Sequence, residues 1–550
     1  SLSVNSTGAA ADASAQLDVS ATDKGILVPR MTSAQRTAIA SPATGLLVFD
    51  TDTESFFFFN GEAWVDMSTS KMLADADGDT KIQVEESADE DIIRMDLAGS
   101  ERLVLKQNAG GETQVELPNN SDNVFIGLAA GAANTTGIQN AFFGSGAGFS
   151  NTTGANNSFF GFNSGWLNSS GNQNAFFGAR AGEANTSGTQ NTFLGAGAGG
   201  SSNTESANTF VGYQAGTNNT TGSQNVFVGA SAGGGNTTGD FNTFVGERAG
   251  IVNSSGLRNT FVGQGSGDSN TTGNDNCFFG HSTGGANTIG ARNAFFGSFA
   301  GSVNTASDNS FFGHNSGAAT TTGNQNSFFG SFSGDANTDG DGNSFFGYNS
   351  GTENTIGLRN SFFGSQAGDA NSDGDDNSFF GFNSGGATTT GNDNSFFGAF
   401  AGDINVDGND NAFFGENSGS ANISGDQNAF FGANAGSANT ANNNSFFGFS
   451  SGASNTVSVQ NSFFGAFAGT ANTANNNSFF GFNCGLANTT GVQNSFFGSQ
   501  AGDANTSAQN NSFFGYDSGG ANSTGANNTF FGSLSGAANT VAHNNTFFGF

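Results

Sequence analysis

The chain has 550 residues, with 87 Gly and 62 Phe but only 3 Pro. Charged residues are 10% of the total, and 13 Lys and Arg stand against 44 Asp and Glu for a net charge of −31. A surface this acidic disfavours nucleic acid and anionic lipid as partners held by a basic face. No apolar run approaches the roughly 18–20 residues needed to span a bilayer.

Residues 1–68 read as an N-terminal β-rich module. The chain opens on "SLSVNST", without Met, which suggests a mature end after signal removal or a fragment. Thr32 is placed to cap a short helix over residues 33–39. The strands "GLLVFD" and "SFFFFN" follow, and Asn60-Gly61 is a hairpin turn returning into "EAWV".

Residues 69–121 read as an acidic β-rich connector. Here "DIIRMDLAGSERLVLKQ" spells two alternating strands around Gly99. The stretch "DADGDTKIQVEE" places Asp75, Asp77, Asp79 and Glu86 at positions 1, 3, 5 and 12 of an EF-hand-like loop, with Ile82 at position 8. Clustered carboxylate oxygens suit a hard cation, so calcium is the cofactor to expect there. Thr80 stands where such a loop needs Gly, and the flanks read as strand rather than helix, so a solvated acidic turn is the competing reading.

From residue 122 to 550 the chain repeats N-x-F-Ω-G, where Ω is Phe, Val, Ile or Leu. The first Phe recurs 26 times, from Phe125 to Phe547, at steps of 17 except three of 16. The short steps fall where turns such as "TTGNQN" shrink to "TASDN" or "TANNN". The Asn two before this Phe and the Gly two after it occur in every copy, from Asn123 to Asn545 and from Gly127 to Gly549. A 17-residue unit is too short for two packed helices and lacks a 3.6-residue apolar period. Short apolar strands cut by Gly and Asn turns predict one coil of a β-solenoid, with Phe, Asn and Thr ladders between coils. The fold class is therefore all-β: a β-solenoid shaft of about 26 coils preceded by two small β-rich modules. At ~4.8 Å per coil the shaft measures roughly 125 Å. Pro29, Pro42 and Pro118, which would break the ladders, all precede the first repeat.

Adjacent strand residues point to opposite faces. One Phe of each pair enters the coil and the other faces out, unless a bulge buries both; the pattern does not say which Phe is which. A row of some 26 outward apolar side chains predicts lateral association of identical chains around one axis.

The stretch "AQLDVSATDKGILVPRMTSAQRTAIASPATGLLVFDTDTESFFFFNGEAWV", at about residues 15–66, resembles the N-terminal module of secreted tail-fibre-like proteins of the Bacteroidetes group. Residues 75–105 resemble a segment recurring in the same family, and the Gly-Asn repeats are similar to head repeats of trimeric autotransporter adhesins, which are shorter and lack the Phe pair. The resemblance implies a secreted or cell-surface fibre, often ending in an intramolecular chaperone domain, and favours three chains, with higher cyclic numbers open. The chain ends inside a repeat, consistent with a cleaved or truncated end.

Catalysis has little support. His281 and His314 share one repeat phase and His543 holds another, and no metal triad or nucleophile constellation follows from them. Cys277 and Cys484 also differ in phase, which predicts small fillers rather than a disulfide. The expected function is a structural, adhesive, homo-oligomeric subunit of an extracellular or cell-surface fibre, not an enzyme, with a surface, cell or glycan as target. Two alternatives carry their own signals. A regular Thr row would suit an ice-binding solenoid, although Ser or other residues often replace Thr here. Paired carboxylates between chains would suit a tail-fibre-like glycan depolymerase.

Overall fold

A computed structural model describes residues 2–67, 72–84, 92–107, 111–117 and 121–550. Contacts divide the chain into two units, Ser1–Asn123 and Val124–Phe550.

The first unit begins with a parallel pair, β1 (Leu2–Asn5) and β2 (Leu17–Ser20), in which Leu2 lies opposite Leu17 and Val4 opposite Val19. A four-stranded sheet follows, with β3 (Arg30–Met31), β4 (Leu47–Asp50), β5 (Ser55–Phe59) and β6 (Trp64–Asp66) in that order. Between β3 and β4 lies α1 (Ser33–Thr37), the one helix among the described residues. Thr32 caps it as expected: its hydroxyl accepts the Gln35 N–H at 3.3 Å, and Gln35 Oε1 accepts the Thr32 N–H at 2.9 Å. The helix stops at Thr37 rather than 39, ahead of a left-handed turn at Ser41 (φ 52) before Pro42. The side chain of Asn60 closes the β5–β6 turn by accepting the N–H groups of Glu62 and Ala63 at 2.9 and 2.8 Å.

Asp50, fully buried, pins α1 to this sheet. It accepts from Arg36 Nε and Ser33 Oγ, both at 2.8 Å, and the Arg36 guanidinium lies 3.7 Å from the centre of the Phe57 ring. Burial works to raise the Asp50 pKa, but Arg36, Ser33 and the N–H groups of Asp52 and Thr53 outweigh it and hold the group at about 2.

A five-stranded antiparallel sheet completes the unit: β7 (Met72–Ala74), β8 (Lys81–Val84), β9 (Ile93–Leu97), β10 (Ser100–Gln107) and β11 (Thr113–Glu116). The β9–β10 hairpin turns on Ala98 (φ 51) and Gly99 (φ 72), as two-residue hairpins require.

The second unit is the solenoid. Its 26 three-residue strands, β12 (Val124–Ile126) to β37 (Thr546–Phe548), form a single parallel sheet in sequence order. Register never slips. Phe295 pairs with Phe311, Phe430 with Phe446 and Phe463 with Phe479 across the three short coils, so the turns absorb the missing residues.

The coil from Ser344 to Asn360 shows why the unit works. Phe345 is fully buried and stacks on Phe328 and Phe362 at 4.9 and 4.7 Å, nearly parallel. The first Phe of each pair is thus the interior one, and no bulge buries the second. Gly351 (φ 58) turns the chain beneath that ring; a Cβ there would sit 2.5 Å from Phe345 Cε2.

Two buried Asn rows run beside the Phe row. Asn354 donates to Asn337 Oδ1 of the preceding coil at 2.7 Å and to the Gly357 carbonyl at 3.2 Å. Asn360 donates its N–H to Asn343 Oδ1 at 2.9 Å and its amide to the Gly374 carbonyl of the next coil at 2.6 Å. Each Asn thereby satisfies groups at a corner that backbone pairing leaves open. The first of these rows is interrupted where Ser202, Thr320 and Thr388 replace Asn, and the amide oxygens of Asn185, Asn304 and Asn371 lose their donors.

At the first interruption Glu205 is buried, 3% exposed, with Oε2 accepting the Asn203 N–H at 2.7 Å. Burial raises its pKa above the ordinary Glu value and outweighs the opposing pull of the nearby N–H groups, that of Asn203 among them. Both cysteines are free, and Cys484 fills a buried position otherwise held by Ser, Ala or, once, Thr283, with Sγ 3.3 Å from the Phe496 carbonyl.

Two predictions follow from this packing. Phe345→Ala removes a ring closed in on every side and should cost about 3–5 kcal/mol of local stability, whereas Phe346→Ala should cost less than about 2 kcal/mol. Hydrogen exchange of the surrounding coils measures both; equal losses would contradict the inside–outside assignment. The buried carboxylates should titrate in opposite senses. Asp50 is depressed, so its stabilising effect is present above pH ~4 and is lost as pH falls toward ~2. Glu205 is raised, so its coil is most stable below the ordinary Glu pKa and loosens as pH rises through the folded value. Local exchange against pH, with Asp50→Asn and Glu205→Gln as controls, should show each dependence vanish in its own variant only.

Candidate functional site

Strand alternation sends the second apolar residue of every repeat outward. The row reads Ile126, then Phe143, Phe160 and Phe177, then Leu194 and four Val, then Phe from Phe279 to Phe548. Most of these side chains are half-buried, and the Phe rings stack on their neighbours in the same chain. Phe346 lies 4.6 Å from Phe329 and 4.5 Å from Phe363, within 6° of parallel. Stacking covers the faces and leaves the edges outward, so the row is less open than alternation alone suggests. Near the end of the shaft order falls: Phe531 and Phe548 are 6.1 Å apart and tilted by 35°.

A second aromatic row lies at the corner just after the strand. In its C-terminal part, alternate coils place an aromatic ring one residue after the strand Gly, at His281, His314, Tyr348, Phe382, Phe449, Phe482 and Tyr516, with Glu416 as the one break. Several intervening coils place Phe one residue later. Phe299, Phe332, Phe400 and Phe467 hold left-handed backbone, with φ between 55 and 61. Rings of the two kinds meet edge to face, at 5.1 Å for His281 and Phe299 and 5.3 Å for Phe382 and Phe400. Tyr348, Phe382 and Phe299 stay open to solvent, 55%, 47% and 40% exposed, while Phe332, Phe400 and Phe467 are half-buried. The 17-residue period hides this row; comparison at twice that period brings it out.

The acidic loop joins β7 to β8. Asp75, Asp77 and Asp79 can bring one carboxylate oxygen each within 4.8 Å of one another, and all three are exposed. Asp75 Oδ1 accepts the N–H groups of Gly78 and Thr80 at 3.1 and 3.2 Å, and the Asp75 N–H donates to the Thr80 carbonyl at 3.0 Å. Partial desolvation raises the Asp75 pKa, but the Thr80 N–H and its other hydrogen bonds outweigh it and hold the group below the usual carboxylate range. Strands flank the loop on both sides, and Ile82 lies within β8. Glu86 lies outside the described residues.

The remaining polar candidates are dispersed. His281 and His314 belong to the corner aromatic row, and His543 Nδ1 accepts the Ala526 N–H at 2.9 Å. The Thr row donates along the shaft, Thr135 Oγ1 to the Thr152 carbonyl at 2.9 Å and Thr237 Oγ1 to the Ser254 carbonyl at 2.8 Å. Its hydroxyl protons are therefore engaged within the chain. Among the described residues no helix is long and apolar enough to cross a membrane.

No curated protein and no solved structure matches the chain. Residues 4–82 match one family model, described as a phage tail-like trimerisation region. That span runs from β1 into β8 and includes the tail-fibre-like stretch at 15–66 and the acidic loop. Over residues 4–82 of its first unit, then, the chain is similar to a phage tail-like trimerisation region.

Proposed function

We propose that this chain is the shaft-bearing subunit of an extracellular or cell-surface fibre, trimeric and adhesive, with a structural rather than catalytic role. The observation that carries the reading is the unbroken in-register sheet of 26 strands in the same chain as a trimerisation-like segment. A solenoid gains stiffness from each added coil and offers length and surface rather than an enclosed pocket. The outward row from Phe279 onward gives neighbouring chains an apolar edge to share, and burial there contributes about 25 cal/mol per Å².

Sedimentation of the full chain tests the oligomer. A trimer is expected, and Ser at Phe346, Phe363, Phe380 and Phe397 together should weaken it while the circular dichroism of the coils persists. A wild-type monomer at micromolar concentration would overturn the trimer. Coils that unfold in the variant would show that the row serves the chain's own stacking instead.

The same reading assigns calcium to Asp75, Asp77 and Asp79, whose oxygen donors suit that cation, with Glu86 as the fourth ligand of the motif. Calorimetric titration with calcium chloride should give a binding isotherm that Asp77→Asn with Asp79→Asn abolishes. An identical heat from both proteins would remove the assignment.

A further inference from the structure

The corner aromatic row is costly to the chain, and the shaft does not need it. At the position of Phe299, Phe332, Phe400 and Phe467 most other coils carry Asn, Gly, Gln, Ser or Arg, and three carry Ala129, Asp517 and Leu534. A left-handed conformation is penalised by roughly 1–2 kcal/mol for a residue with a Cβ, and a bulky ring there is an outlier. The left-handed turn itself belongs to every coil, as at Asn315 (φ 54), Asn349 (φ 53) and Gln366 (φ 58), so what sets these coils apart is the bulky ring. Phe299 is exposed and Phe332, Phe400 and Phe467 are half-buried at the corner, outside the core that the interior Phe row forms, and a ring repeated there points to a use at the surface.

The row has a polar companion. Three residues after each of these strained Phe, the intervening coils carry a hydrogen-bonding side chain: Ser302, Asp335, Asp403 and Thr470. Asp369 and Asp503 hold the same place in coils where Gln replaces the Phe. These carboxylates are half-buried at the corner; burial raises the pKa of Asp335, Asp369, Asp403 and Asp503. The position lies beside the Phe turn, since Thr470 Oγ1 donates to the Phe467 carbonyl at 2.8 Å. In the alternate coils the equivalent place is mostly small, as at Gly285, Ala318, Gly386 and Gly520. Ring and acceptor therefore recur together every second coil, about 10 Å apart at twice the strand spacing, with one gap where Glu416 and Asn434 replace the rings.

We propose that this corner, from His281 to Tyr516, is a binding track for a neutral, extended, β-linked polysaccharide. The proposal rests on the adhesive reading and names its target class. An exposed ring packs against the C–H face of a pyranose, and a carboxylate accepts from its hydroxyls. An extended β-linked chain repeats every disaccharide at about the two-coil spacing, so one ring and one acceptor can meet each repeat in register. Carboxylates along the track and a net charge of −31 repel acidic glycans and anionic surfaces. They also disfavour a second copy of this chain, which would bring its own acidic row.

Co-sedimentation of the full chain with amorphous cellulose, chitin, insoluble starch and insoluble calcium alginate gel tests the track. Binding to cellulose or chitin is expected, with little to starch or alginate. Alanine at Tyr348, Phe382 and Tyr516 together should weaken it at least about tenfold, with the circular dichroism and sedimentation of the chain unchanged. Asp369→Asn with Asp403→Asn should keep the fold while shifting affinity, a change that loss of packing alone would not produce. Attachment of the fibre to cells without binding to any of these neutral polysaccharides would overturn the track and leave the adhesive reading standing. A triple variant that changes the oligomer instead of polysaccharide binding would make the corner a seam between copies and overturn the proposal. Equal binding of wild type and triple variant would do so as well.

Discussion

Like side chains held one strand spacing apart are the constraint on which the shaft depends. A three-residue strand makes too few hydrogen bonds to order a 17-residue coil. In-register stacking multiplies the gain, because Phe, two Asn rows and the Gly carbonyls all meet their own kind in the next coil. The interior rings stack at 4.7–4.9 Å from Phe125 to Phe547. No coil has this environment alone, so stability belongs to the interfaces between coils.

That constraint also explains the glycines. A Cβ at Gly347 would lie 2.2 Å from the Gly364 carbonyl oxygen, and the backbone there has φ 148. The rise of one strand spacing leaves no room for a side chain on that corner. The Asn rows tolerate more: Ser202, Thr320 and Thr388 leave amide oxygens without donors, yet the sheet continues through them. An isolated lost hydrogen bond is a modest defect when the coils above and below remain intact. The few cations are used in the same axial direction. Arg258, Arg292 and Arg359 each pair with an Asp one coil on, at 2.6 Å, which relieves like-charge repulsion along an acidic rod. Being exposed, such pairs are worth little individually.

The surface divides the shaft where the core does not. Interior Phe is present in every repeat, while the outward row changes from Leu and Val to Phe at Phe279, and the corner rings gather in the same C-terminal stretch. Identical coils would give a uniform rod. The difference places surface chemistry on a backbone whose own requirements are constant, much as loops vary on other scaffolds. The acidic loop at Asp75–Asp79 follows the same logic on a hairpin, with strands in place of the helices that flank an EF-hand loop.

The spacing of the Phe pair alone determined the coil, its period, its strand and the absorption of deletions by the turns. A repeated residue in a parallel in-register sheet has one place to go. The Thr32 cap, the Asn60-Gly61 turn and the Gly99 hairpin were legible for the same reason: each depends on residues within a few positions. Which Phe faces inward was not legible, because alternation is symmetric and only the turn at Gly351, closing beneath Phe345, breaks the symmetry. The stacking that half-covers the outward rings, the burial of Glu205 and the strained corner Phe also needed the tertiary structure. Each arises between coils, where residues 17 or 34 positions apart in sequence become neighbours, and no local pattern records that contact.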